Sequence, residues 1–170
     1  MDRTARFDEL FDAHHHRVLA YLARRVDQPA DAADLLAEVF LVAWRRLDSI
    51  PEAQGIWLLG VARKVLANYR RGNARRHQLA DRLREEISTE LSPRRPPGVL
   101  GAALQALRPA DRELITLTNW DGLSPTEVAA LLGLSPETTR VRLHRARARL
   151  KALVDHENAA GVRQEAPAIG

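Results

Sequence analysis

The chain has 170 residues, 45% of them hydrophobic and only 5% aromatic, enough for one ordinary domain or two small ones. It carries 26 Lys and Arg against 22 Asp and Glu, a net charge of +4. It contains no cysteine, which excludes a disulfide framework and a cysteine-based zinc site. Ala, Leu and Arg predominate, all good helix formers, so an all-α fold is expected. No apolar run approaches the length of a membrane span, and acids and arginines interrupt the apolar residues at the amino terminus as they would not in a signal peptide. The expectation is a cytoplasmic protein without membrane insertion.

Apolar residues at helical spacing predict a first helix over 7–26, through Phe7, Leu10, Phe11, Val18, Tyr21 and Leu22. Pro29 breaks it. A second helix is predicted over 30–47, with Leu35, Leu36, Val39, Phe40, Val42, Ala43 and Leu47 apolar, and Asp48-Ser49-Ile50-Pro51 reads as a turn. A third is predicted over 56–71, ending at Gly72-Asn73 in a left-handed cap. Residues 1–72 would form one domain and 73–98 a flexible linker, polar and closed by Ser92-Pro93-Arg94-Arg95-Pro96-Pro97-Gly98. A second small helical domain is expected over 99–153. It opens on Val99, Leu100, Ala103, Leu104 and Leu107 and continues in helices over 110–119, 125–132 and 136–153. The tail, 154–170, has little to bury and is expected to be disordered.

Charge is distributed unevenly. From 61 to 80 there are six basic residues and no acid, and from 138 to 154 six more, again with no acid. Ahead of both, between Asp27 and Glu38, the sign reverses, with Asp27, Asp31, Asp34 and Glu38. Two separated basic patches predict two contacts with a polyanion.

The second patch lies in a helix-turn-helix pattern. Ser124-Pro125-Thr126-Glu127 supplies an N-cap, a proline at the first helical position and a capping box. Gly133 permits a sharp turn, and Ser135-Pro136 starts the next helix. Within that helix Thr139, Leu143, Ala146 and Leu150 form a buried stripe. Glu137, Thr138, Arg140, Val141, His144, Arg145, Ala148 and Arg149 remain outside. Arg140, Val141 and His144 would reach base edges, whereas Arg145 and Arg149 would meet phosphate or further bases. An arginine run with no acid beside it gains nothing from self-packing, so DNA binding is the stronger reading than a solvated surface.

A resemblance extends this reading to nearly the whole chain, 7–151. Asp34-Leu35-Leu36-Ala37-Glu38-Val39-Phe40 with Ala43-Trp44-Arg45-Arg46-Leu47 resembles the core-polymerase-binding helix of bacterial sigma factors. Trp57-Leu58-Leu59-Gly60-Val61-Ala62-Arg63 and Asn68-Tyr69-Arg70-Arg71 resemble the promoter-melting helix that follows it. Leu123-Ser124-Pro125-Thr126-Glu127-Val128-Ala129 and Arg140-Val141-Arg142-Leu143-His144-Arg145-Ala146-Arg147 resemble the family's fourth region. The two-domain layout is similar to the extracytoplasmic-function group of the sigma-70 family.

The resemblance implies roles by position. Asp34 and Glu38, with Phe40, Leu41 and Trp44, would dock on core RNA polymerase. Arg63, Lys64, Asn68, Arg70 and Arg71 would hold the melted non-template strand of the minus-ten element, beside a base pocket formed largely by 48–55. Thr138, Arg140, Val141, Arg142, His144, Arg145 and Arg149 would read the minus-thirty-five element, with Val141 able to meet a thymine methyl. Promoter DNA and core polymerase are the implied partners, and an anti-sigma factor is common in the group. A 26-residue linker, extended at ~3.4 Å per residue, would span roughly 90 Å.

Other chemistry is less well supported. His14-His15-His16 point about 100° apart on a helix and lack partner ligands at i+4, so no metal is expected. The nine glycines are scattered and form no phosphate-cradling loop. The acids do not converge as a nuclease's magnesium site would. Neither a cofactor nor an enzymatic activity is predicted. The alternatives are a regulator binding an operator directly, which leaves the first domain's charged helices unexplained, and a metal-dependent nucleic-acid enzyme.

Overall fold

The computed structural model describes the backbone of residues 2–85 and 98–164 and the side chains of 2–75 and 98–160. The chain divides into two compact units, Met1–Leu91 and Ser92–Gly170. Every regular element among the described residues is helical.

The first unit comprises α1 (Arg3–Ala23), α2 (Pro29–Arg45) and α3 (Gln54–Glu85), with a single 3-10 turn, Leu47–Ser49, between the last two. Pro29 sits in the first turn of α2, where its missing N–H costs nothing, and Asp31 lies at the positive end of the helix dipole. Leu10, Val18, Tyr21 and Leu22 of α1 meet Leu35, Val39, Phe40 and Ala43 of α2. Leu58, Leu59, Ala62, Val65 and Leu66 of α3 close the core. At its edge Phe40 receives Phe11 and Phe7 edge-on, with centroids 4.8 and 6.1 Å away, and Trp44 stands perpendicular to Phe7 at 5.2 Å.

Helix α3 does not end at Gly72-Asn73. Gly72 is helical, and the only described glycines with positive φ are Gly122 and Gly133. A helix-interior glycine costs only about 1 kcal/mol against alanine, which the helix formers Ala74, Arg75 and Arg76 help to offset. Residues 73–85 of the expected linker are therefore helix, advancing ~1.5 Å per residue instead of ~3.4 Å. The rest of the expected linker, 86–97, lies outside the described residues.

The second unit comprises α4 (Val99–Ala106), α5 (Pro109–Asn119), α6 (Pro125–Leu132) and α7 (Pro136–Gln164). Ala103, Leu107, Leu114, Ile115, Leu117, Leu123, Val128, Ala129, Leu143 and Ala146 are buried together. Arg112 secures the end of α4, donating from Nε to the Leu104 carbonyl at 2.7 Å and from Nη2 to that of Leu107 at 3.1 Å. Val99 and Leu100, which open the apolar pattern of this unit, are 40% and 48% exposed. Helix α7 runs past Val154, where the expected disordered tail begins, to Gln164. Lys151 reaches Asp155 at 2.7 Å across one turn, an i,i+4 contact that supports the continuation. The remaining tail, 165–170, lies outside the described residues. No described helix is long and apolar enough to cross a membrane.

Candidate nucleic-acid interface

The α6–α7 corner is set by side chains at helix ends. Ser124 Oγ accepts from the Glu127 N–H at 3.2 Å, and Glu127 Oε2 accepts from the Ser124 N–H at 2.8 Å, a complete capping box. Gly133 ends α6 at φ +67°, in the left-handed region, and the Leu134 N–H returns to the Ala129 carbonyl at 2.9 Å. Ser135 Oγ then accepts from the Thr138 N–H at 3.1 Å and donates to Thr138 Oγ1 at 2.8 Å. Thr139 is fully buried, its hydroxyl donating to the Ser135 carbonyl at 3.0 Å. With Thr139, Leu143 and Ala146 turned inward, Arg140, Val141, Arg142, His144 and Arg145 face outward. Val141 is 44% exposed, and with Glu137, Thr138, Arg142 and Arg145 it lines an open depression.

The basic run of α7 is not uniform. Arg149 Nη1 lies 2.6 Å from Asp111 Oδ2, and Asp111 is almost covered, with an 11% exposed side chain. Asp111 stands in the first turn of α5, where the helix dipole also favours its charge. Arg149, placed by sequence among the DNA-contacting residues, is thus engaged in holding α7 to α5. Arg147 approaches Asn119 Oδ1 at 3.4 Å, and Lys151 is paired with Asp155. Arg140, Arg142 and Arg145 form no ion pair among the described residues. Thr138 is half-buried, its hydroxyl within the Ser135 cap.

On α3, Leu58, Leu59, Ala62, Val65 and Leu66 face the core, leaving Arg63, Lys64, Asn68, Arg70 and Arg71 exposed. Lys64, Asn68 and Arg71 follow i, i+4, i+7 spacing and share one stripe. Asn68 Oδ1 accepts from Arg71 Nη2. Tyr69, between them, turns inward and donates to Asp31 Oδ2 on α2 at 2.6 Å. That hydrogen bond to a carboxylate is the main reason the Tyr69 phenol is held above its ordinary pKa, with desolvation adding to it.

On α2, Asp34, Glu38 and Leu41 recur at i, i+4, i+7 and are exposed, Leu41 at 55%. Phe40, expected to offer an apolar contact to a partner, instead lies in the core at 4% exposure. It falls one position from the exposed stripe, where a helix turns its side chain inward. Trp44 packs one side against Phe7 and remains 36% exposed.

Sequence reasoning missed three ion-pairing residues. Arg3 and Arg6 of α1 both reach Asp48 in the turn after α2, at 2.9 and 3.0 Å. Asp111 was not singled out. Each pair spans more than 35 positions, so no local pattern could have revealed it. In the histidine triplet His15 stacks on Phe11, rings parallel and 4.6 Å apart, with Nδ1 2.8 Å from the Phe11 carbonyl. No group of three potential ligands gathers among the described residues.

Two all-helical units, one a helix-turn-helix with a basic outer face and the other bearing a basic helix beside an acidic one, define a two-domain DNA-binding protein of the transcription machinery. Residues 10–76 match the family model for sigma-70 region 2, and residues 98–150 that for sigma-70 region 4. The RNA polymerase sigma factor CarQ of Myxococcus xanthus is 37% identical over 87% of this chain and 88% of its own length. The RNA polymerase sigma-E factor of Streptomyces coelicolor is 30% identical over 89% and 87%. Among solved structures, CnrH in complex with the cytosolic domain of CnrY superposes with a TM-score of 0.61 and 28% identity, covering 88% of each chain. The sigma factor RpoE of Bartonella quintana, in complex with the anti-sigma factor NepR, shares the fold at a TM-score of 0.63 and 24% identity, over 88% of this chain and 96% of that one. The chain belongs to the extracytoplasmic-function group of the sigma-70 family of RNA polymerase sigma factors.

Proposed function

We propose that this sigma factor grips its promoters at two points, with each basic helix serving one element. As a member of its family it binds core RNA polymerase, recognises promoter elements and initiates transcription. The single observation carrying the finer reading is the exposed trio Arg140, Arg142 and Arg145, which form no ion pair among the described residues, on a helix capped by Ser135. Arg140, Val141, His144 and Arg145 read the minus-thirty-five duplex in the major groove. Arg63, Lys64, Asn68, Arg70 and Arg71 hold the unpaired strand of the minus-ten element, where backbone cations suit a strand without a groove. Asp34, Glu38, Leu41 and Trp44 dock on core polymerase. The chain acts in the cytoplasm, where both partners are, and works by positioning polymerase, not by catalysis of its own. An anti-sigma factor is its natural inhibitor, by analogy with the complexes of its structural relatives.

The test is transcription by core polymerase from a library randomised in both promoter windows, with and without the purified chain. Specific transcripts sharing two conserved elements are expected. Tight sequence-specific binding by the chain alone, without polymerase-dependent transcripts, would overturn the reading in favour of an operator-binding regulator.

A further inference from the structure

The carboxyl end of α2 is held by two arginines from the start of α1. Arg3 Nη2 donates to the Trp44 carbonyl at 2.7 Å and Arg6 Nη2 to that of Leu47 at 3.4 Å. The same guanidiniums take one oxygen each of Asp48, at 2.9 and 3.0 Å, so both carboxylate oxygens are engaged. Arg3 also lies over the Trp44 ring, 5.1 Å from its centroid. The neighbouring carbonyls are occupied as well: Val42 and Ala43 accept from the Arg46 N–H, and Arg46 accepts from the Ser49 N–H and hydroxyl. The group sits at the negative end of the α2 dipole, where two cations are favoured. Single exposed ion pairs contribute little. Here planar forks each bridge a side chain and a backbone carbonyl, a geometry that lysine does not reproduce.

This cluster stands at the entrance to 48–55, which leads through Ile50 and Pro51 to the first turn of α3. We propose that Arg3 and Arg6 are positioning residues for minus-ten base capture. By anchoring Asp48 and the turn Leu47–Ser49 to α1, they fix where the capture segment leaves α2. The proposal rests on assigning 48–55 and α3 to the minus-ten element. Both arginines lie ahead of the region matched by the family model, which begins at residue 10.

The experiment uses full-length chain, core polymerase and the doubly randomised promoter library. Wild type is compared with Arg3→Ala/Arg6→Ala, Arg3→Lys/Arg6→Lys and Asp48→Asn. Base preference is scored separately at each element, so the result does not depend on how much chain is bound to core. In the alanine pair and in Asp48→Asn, minus-ten preference falls about fivefold, equivalent to the factor set by roughly 1 kcal/mol. The minus-thirty-five profile stays within about twofold, and the lysine pair recovers less than half of the loss. An unchanged minus-ten profile in the alanine pair overturns the proposal, as do equal losses at both elements. If the alanine pair melts below the assay temperature, Asp48→Asn decides by the same criteria. A wild-type chain with no minus-ten preference would instead bring down the assignment of α3, and this proposal with it.

Discussion

Arg149 and Asp111 join α7 to α5 through a 2.6 Å ion pair in which only the arginine keeps substantial exposure. A residue in the middle of a basic helix is thereby a structural tie. Arg149→Ala leaves a nearly covered carboxylate without its cation and is expected to destabilise the second unit by about 1–3 kcal/mol. Urea unfolding followed by circular dichroism measures this. A stability unchanged within ~0.5 kcal/mol, the usual range for a surface change, would show that the pair contributes nothing.

Arg140→Ala should behave in the opposite way. Its side chain forms no ion pair among the described residues, so stability is expected to stay within ~0.5 kcal/mol. Promoter recognition should fall by ~1–3 kcal/mol in a sequence-dependent manner. Competition between promoter variants in transcription assays reads this out, and an equal loss on every sequence would reduce Arg140 to a phosphate contact.

Phe40 and Leu41 should separate folding from docking. Truncating the buried Phe40 to alanine is expected to cost about 3–5 kcal/mol of stability. Leu41→Ala, at a position 55% exposed, should leave the melting temperature nearly unchanged while weakening association with core polymerase. Fluorescence titration against core, beside thermal melts, tests both. Intact core binding in Leu41→Ala would remove that residue from the docking face.

The Tyr69–Asp31 hydrogen bond makes a pH prediction. The folded phenol is held above its ordinary value of 10.0, so the native state keeps this proton more tightly than the unfolded chain. Its stabilising effect is fully present below pH 10 and is lost as pH rises through the raised folded value. Phenolate absorbance in a Tyr21→Phe background should show Tyr69 titrating above 10, and Asp31→Asn should bring it down. Titration below 10 with Asp31 intact would contradict the bond. Tyr69→Phe is expected to cost about 1 kcal/mol at neutral pH.

Features governed by neighbours in sequence were the legible ones. The Ser124–Glu127 box, the Gly133 turn and the inward stripe Thr139, Leu143, Ala146 follow from spacing and turn chemistry within one or two turns of helix. Gly72 misled because a glycine both ends helices and tolerates their interiors, and only the chain around it decides. Phe40 misled because docking and core positions on α2 differ by a single residue, or 100° of rotation. Arg149, Arg3 and Arg6 were opaque for another reason: their partners come from other helices, and charge runs do not disclose which cation is already occupied. The same holds for Tyr69, whose carboxylate partner Asp31 was legible only as one charge of an acidic stretch.

The caps at Ser124, Glu127, Gly133 and Ser135 have an evolutionary consequence. They set where α6 stops and α7 starts without drawing on Arg140, Val141, His144 or Arg145. Those four positions are therefore free to mutate while the scaffold stays folded. A duplicated copy of the gene could acquire a new promoter preference in single steps, each neutral for folding. Relatives with identical corners and unrelated target genes would be the expected legacy of that separation.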